Sequence, residues 1–257
     1  MNIYQKILTA KESNQKLLAV LIDPEKIRIE AISGFIKLVN QSIATHIFVG
    51  GSTDNQNQIE DVVVEIKKHT ILPVILFPGD FTQVTSKADG ILFLSLISGR
   101  NPEYLIEQQV QSALIVKEAG LEVIPTGYIL IDGGKETSVE RISQTKPISQ
   151  SNPEFILKTA LAGEFSGKKL IYLEAGSGAT VPVGPSNISF VKKVLQVPLI
   201  VGGGIRNKEQ LHNAYDAGAD MVVIGTAFEN NPAFFNDLKK EFSTTLRQAQ
   251  CDNRDDI

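Results

Sequence analysis

Eight short apolar runs punctuate this chain of 257 residues, and their spacing constrains the fold more than any other feature. They are Leu17–Ile22, His46–Val49, Pro73–Phe77, Gly90–Leu94, Glu122–Ile131, Lys169–Leu173, Pro198–Val201 and Met221–Ile224. Stretches such as Leu199-Ile200-Val201 and Val222-Val223-Ile224 show no polar alternation, which is the pattern of a strand covered on both faces. Helix-like segments separate most of them, among them Glu25–Asn40, Pro102–Ala119, Pro153–Ala162 and Lys208–Ala217. Strands that alternate with helices imply right-handed βαβ units and a parallel sheet. Eight such units in a chain of this length favour an α/β fold closed as a (β/α)8 TIM barrel over an open sheet. The gap Pro78–Asp89 is short for a helix, so the third helix is expected to be irregular or missing. Residues 1–243 are expected to form one barrel domain, and the polar stretch 244–257 a disordered tail.

Charge and cysteine content narrow the class further. A net charge of -4 without a basic cluster argues against a nucleic-acid groove. The lone Cys251 leaves no disulfide framework or cysteine metal site. The start Met1-Asn2-Ile3-Tyr4-Gln5-Lys6 lacks the apolar core of a signal peptide, and no uncharged apolar run approaches a membrane span. A cytoplasmic protein is the expectation.

A barrel places its chemistry at the C-terminal ends of its strands. Those ends read Asp23, Gly50-Gly51-Ser52-Thr53, Phe77-Pro78-Gly79-Asp80, Ser95 to Arg100, Asp132-Gly133-Gly134 and Tyr172 to Gly178, followed by Gly202-Gly203-Gly204 and Gly225-Thr226. The last two units, after strands seven and eight, fit a phosphate cradle, because glycine lets backbone N–H groups approach an anion. Asp23, before Pro24, fits a helix N-cap, and its remaining oxygen also suits Mg²⁺, with Ser52 as a second oxygen. Tyr172 and Glu174 lie two apart on a strand and therefore share a face. Facing the mouth they suit a general base with a hydrogen-bonding partner; facing outward they are a solvated strand end. Lys168 and Lys169 start strand six, at the wrong end for a Schiff base. His46, His69 and His212 occupy no catalytic strand end and read as structural.

In this order, Leu21-Ile22-Asp23-Pro24-Glu25-Lys26, Val49-Gly50-Gly51-Ser52, Gly127-Tyr128-Ile129, Tyr172-Leu173-Glu174-Ala175-Gly176-Ser177-Gly178-Ala179, Val201 to Arg206 and Gly225-Thr226 resemble the geranylgeranylglyceryl phosphate synthase family. The resemblance spans about residues 15–235. It implies a prenyltransferase that joins the geranylgeranyl group of geranylgeranyl diphosphate to the C3 hydroxyl of sn-glycerol 1-phosphate. By the matching motifs, Asp23 and Ser52 would hold Mg²⁺. Tyr172, Leu173, Glu174, Ala175, Gly176, Ser177, Gly178, Gly203, Gly204, Gly225 and Thr226 would hold the glycerol phosphate, and Glu174, beside Tyr172, would take the proton. Ser52 stands where some relatives carry threonine. A homo-oligomer is implied as well. Phe77, Phe93, Leu94, Leu96 and Ile97 are candidates for a prenyl groove, or else ordinary core. Three other readings stand beside this one: the same transfer with a longer C35 donor, a sugar-phosphate isomerase using Asp23 and Asp132 as acid and base, and a non-catalytic phosphate binder.

Overall fold

The computed structural model describes residues 2–51 and 56–230 together with Phe234 and Leu238. Ser52, Cys251 and the expected tail 244–257 lie outside them. The strands are β1 (Leu17–Ile22), β2 (His46–Val49), β3 (Val74–Leu76), β4 (Gly90–Leu96), β5 (Glu122–Leu130), β6 (Leu170–Glu174), β7 (Leu199–Gly202) and β8 (Met221–Ile224). All neighbours are parallel and the sheet closes in sequence order. Closure is made by β1, with Ile22 opposite Val49 of β2 and Val20 opposite Ile224 of β8. The structure is the (β/α)8 barrel expected from the alternating runs.

Strand alternation sorts the core into two shells. Leu18, Val20 and Ile22 face the helices, whereas Leu17 and Ala19 face the barrel interior. On β6, Leu173 packs outward and Tyr172 inward, among Phe48, Ile75, Leu92 and Ile200. Glu174 is the next inward position, at the mouth. The sequence placed this strand one residue early, at Lys169–Leu173; in the structure Glu174 is its last residue.

The outer ring comprises α2 (Ile29–Gln41), α3 (Gln56–Lys67), α4 (Gln108–Ala119), α5 (Ser138–Ser143), α6 (Pro153–Phe165), α7 (Pro185–Lys192), α8 (Lys208–Asp216) and α9 (Thr226–Asn230). A π-helical turn, Glu103–Glu107, runs into α4. Ahead of the barrel, α1 (Ile3–Glu12) plugs its N-terminal end, a helix that the pattern of runs did not announce. Ile3, Ile7 and Ala10 join the interior cluster, and the Glu122 carboxylate accepts from Ile3 N (2.6 Å) and Tyr4 N (2.8 Å). An acid there satisfies two of the free N–H groups at the helix start.

Residues 77–89 hold no helix between β3 and β4, as the short gap required. They form an irregular loop pinned by Thr82 N to Asp80 Oδ1 (2.6 Å) and Gly79 N to Gln83 Oε1 (3.0 Å). The barrel wall between β3 and α4 is therefore covered by this loop, with Val84 packed on the core, and by no helix. Asp23 corrects another expectation: it does not cap a helix. The α2 N-cap is Arg28, and Asp23 instead closes a turn, accepting from Glu25 N (3.1 Å).

Candidate active site

A cavity of about 390 Å³ opens at the C-terminal ends of the strands and extends into the gap left by the missing helix. Its deep wall at the mouth is polar on two sides. On one side stand Asp23, Lys26, Gly50 and Gly51, and on the other Glu174, Ser177, Gly178, Gly203, Gly204, Arg206, Gly225 and Thr226. Phe77, Tyr128 and Tyr172 lie between them, and Val84, Ile91, Phe93, Leu94 and Leu96 line the extension.

Glu174 is 6% exposed. Its Oε1 accepts from Gly176 N at 2.7 Å. Burial pushes its carboxyl above the ordinary carboxylate range, while the Tyr172 hydroxyl and the Gly176 N–H pull partly against that rise. The Tyr172 hydroxyl is fully buried beside this carboxylate, near enough to favour its charged form, but makes no well-aligned hydrogen bond among the described residues. Burial and the Glu174 charge hold the phenols of Tyr172 and Tyr128 well above their usual range, so both remain proton donors. An unsatisfied buried hydroxyl costs on the order of 1–3 kcal/mol, and a bound substrate oxygen would relieve it.

The glycines anticipated as a phosphate cradle first make room for this pair. A Cβ on Gly202 would lie 2.3 Å from the Tyr172 hydroxyl and 2.7 Å from Glu174 Oε2. On Gly203, whose φ is +82°, it would lie 2.4 Å from Glu174 Oε1 and 2.5 Å from Gly176 N. The loops after β6, β7 and β8 thus meet in one place. Ser177 Oγ lies 3.2 Å from Thr226 Oγ1, joining the first and last of them. Arg206 donates to Gly178 O (3.2 Å) and Ala179 O (2.6 Å), so a cation braces the loop. Sequence reasoning quoted Arg206 only as the end of its glycine run and assigned it no role; a cation after three glycines was the available signal.

Across the mouth, Asp23 Oδ2 pairs with Lys26 Nζ at 2.8 Å. A Cβ on Gly51 would lie 2.7 Å from Asp23 Oδ1, so glycine keeps space open beside that carboxylate. A hard carboxylate oxygen with free space, facing a cavity, fits Mg²⁺, which needs one or two protein oxygens. The partner expected for it, Ser52, is outside the described residues.

Some expected residues stand elsewhere. Ile97 does not line this cavity; it packs between Gly127 and Gly163 on the helix side. Ser95 is interior to β4 and also faces the helices, donating to Leu105 O (3.0 Å) and accepting from Lys168 Nζ (2.8 Å). Asp132 accepts from Gly134 N (2.9 Å) in a turn and does not line the cavity, which removes the acid–base pair of the isomerase reading. The three histidines stay out of the cavity too. His46 is buried at the other end of β2, where burial pushes its pKa down to about 4, and His69 pairs with Glu65.

Among the described residues no helix is long and apolar enough to cross a membrane. Residues 10–246 match the model of the PcrB family. The chain is 60% identical over 228 residues to a geranylgeranylglyceryl phosphate synthase of Zunongwangia profunda, covering 89% of this chain and 97% of the relative. It is 56% identical over 234 residues to that of Flavobacterium johnsoniae, covering 91% and 96%. Its fold is similar to the crystal structure of (S)-3-O-geranylgeranylglyceryl phosphate synthase from Thermoplasma acidophilum in complex with substrate sn-glycerol-1-phosphate, with TM-score 0.88, 33% identity and coverage of 93% and 96%. With eight strands closed around a buried Tyr172–Glu174 pair and a family match over nearly its whole length, this chain belongs to the PcrB family, the family of the geranylgeranylglyceryl phosphate synthases.

Proposed function

We propose that the protein transfers the geranylgeranyl group of geranylgeranyl diphosphate to the C3 hydroxyl of sn-glycerol 1-phosphate, in a Mg²⁺-dependent reaction in the cytoplasm. The observation that carries this reading is the buried Glu174 carboxylate, set beside glycine loops on one side of a cavity whose other side presents Asp23 and whose extension is apolar. Tyr172, the loop Leu173 to Gly178, Gly203-Gly204 and Gly225-Thr226 hold the glycerol phosphate, with its hydroxyl toward Glu174. Held there, the acceptor needs no further ordering before it attacks. Glu174 accepts the hydroxyl proton as the C–O bond forms, and its raised proton affinity favours that acceptance. Asp23 and Ser52 hold Mg²⁺, which when bound supplies positive charge against the departing diphosphate. The apolar extension past Leu94 and Leu96 takes the tail of the donor and keeps water from the allylic carbon.

The test is incubation with labelled prenyl diphosphates of increasing length and with either sn-glycerol 1-phosphate or sn-glycerol 3-phosphate, with and without EDTA. An ether product from the C20 donor and the 1-phosphate, lost in EDTA, is expected. No product with any donor sinks the reading, product at full rate in EDTA sinks the Mg²⁺ assignment, and a peak at C35 replaces the donor.

The same proposal includes self-association through α4 and the turn before it. Ile106, Val110 and Leu114 stand 56%, 61% and 72% exposed at one-turn spacing, while the polar Gln109 and Ser112 are buried. Such an inverted helix calls for a partner surface. Sedimentation velocity of wild type and of Val110→Glu with Leu114→Glu checks it: the double variant is expected to be monomeric, and a monomeric wild type refutes it.

A further inference from the structure

Phe77 directly follows β3 and lines the mouth of the cavity. Its carbonyl abuts Gly50, where a Cβ would lie 1.8 Å from Phe77 O, and the next residue, Gly51, packs against the Asp23 carboxylate. Its ring reaches the other way. It is tilted against Tyr172 with centroids 5.7 Å apart and against Tyr128 at 6.0 Å, and it lies parallel to Phe48 at 6.3 Å. Tyr128 and Tyr172 meet edge to face at 5.3 Å. Four rings thus form one cluster at the head of the cavity. Phe48 and Tyr172 are 0% exposed, and Tyr128 is 6% exposed with its phenol under the Glu174 charge. Phe77 is the half-buried member: it lines the cavity and carries no polar atom.

The reaction argues for what such a ring can do. The C1–O bond of the donor breaks with its electron pair leaving on the diphosphate oxygen. The bond from C1 to the glycerol oxygen then forms, and the hydroxyl proton passes to Glu174. Between these events C1 and its allylic partner carry positive charge, in the space between the Asp23 side and the Glu174 side. An aromatic face attracts a cation within about 6 Å of its centroid, most strongly where water is excluded. We propose that the Phe77 ring is a catalytic group, placed to stabilise the allylic cation between diphosphate departure and attack by the glycerol hydroxyl. The proposal rests on the prenyl-transfer reading. Its neighbours set the ring: Phe48 lies parallel to it and Tyr128 and Tyr172 tilt against it, while the residue itself lines the cavity.

The experiment replaces Phe77 with leucine and, separately, with mono-, di- and trifluorinated phenylalanines, which keep the ring shape while withdrawing π density. Steady-state rates with both substrates are read together with calorimetric binding of sn-glycerol 1-phosphate. F77L is expected to lower kcat by about 10-fold or more, as a desolvated cation–π contact implies. Log kcat is expected to fall stepwise with each fluorine, with KM and glycerol phosphate binding near wild type. A flat fluorine series overturns the role, and so does an F77L kcat within a factor of about two, well below that estimate. Should F77L fail to fold, the fluorinated series alone decides. A wild type that binds glycerol phosphate but makes no prenyl ether overturns the prenyl-transfer reading itself, whereas an active wild type with a flat series overturns only the ring's part.

Discussion

Replacing Glu174 by glutamine separates the chemistry of the site from its architecture. The side chain is 6% exposed, and its Oε1 accepts the Gly176 N–H at 2.7 Å. Glutamine keeps that acceptor and the volume, and its NH₂ can donate to the otherwise unsatisfied Tyr172 hydroxyl. The glycerol phosphate loop therefore has no reason to move, and binding of sn-glycerol 1-phosphate by calorimetry is expected to stay near wild type. What is lost is the proton acceptor. General-base catalysis contributes about 10²–10⁴-fold, so kcat should fall by that factor, equivalent to about 3–5 kcal/mol. Stability should move the other way. Burial raises the folded-state pKa of Glu174 above its unfolded value, so the folded protein binds the extra proton more tightly. Stability from this group is then full at low pH and declines as pH rises from the unfolded value through the raised folded one. At neutral pH the wild type bears the cost of a buried charge and Glu174→Gln does not, so its Tm is expected to rise. A kcat within about 10-fold of wild type lies below the range for a general base and would remove Glu174 from that role. A sharp drop in Tm would refute the account of its burial.

Asp23→Asn should raise the Mg²⁺ concentration needed for half-maximal activity while leaving glycerol phosphate affinity unchanged; an unaltered Mg²⁺ titration refutes the assignment. Gly203→Ala forces a left-handed alanine, costing about 1–2 kcal/mol, and drives Cβ into Glu174 Oε1. It should therefore lose both stability and glycerol phosphate binding. Gly34→Ala inside α2, with nothing within 4 Å of its Cβ, is expected to stabilise by about 0.5–1 kcal/mol, and equal Tm values for the two variants would contradict the argument. His46, pushed down to about 4 by burial and then by the Lys6 charge, stays neutral in the fold. The unfolded chain takes up its proton first, so stability on the order of 3 kcal/mol should be lost as pH falls from about 6.5 to about 4. Urea unfolding at several pH values checks this; His46→Gln should flatten the slope, and an unchanged slope refutes it.

The barrel was legible because buried parallel strands are written as unbroken apolar runs, a pattern that survives without tertiary context. Three runs, Leu17–Ile22, His46–Val49 and Met221–Ile224, match their strands residue for residue. The missing helix was legible too, from the shortness of the β3–β4 gap. Helix α1 was not, because its apolar face at Ile3, Ile7 and Ala10 is satisfied only by the open bottom of a finished barrel. Asp23 was misread as a cap because Asp-Pro fits both a helix start and a turn, and only the position of α2 separates them. Ile97 follows the second of the two readings open to it, since it continues the outward phase of Phe93 and Ser95 and packs on the helix side.

For the site, the sequence by itself determined which residues share a face and which loops can approach an anion. Those are local properties of strand period and glycine backbone. It could not decide that Glu174 is buried, that the Tyr172 hydroxyl lacks a well-aligned partner, or that Gly202 and Gly203 are there to let them meet. Nor could it set the Phe77 ring against Tyr128 and Tyr172 at the cavity. Burial and proximity across loops some thirty to one hundred and fifty residues apart arise only when the eight strands close, because closure alone fixes the register that brings them together.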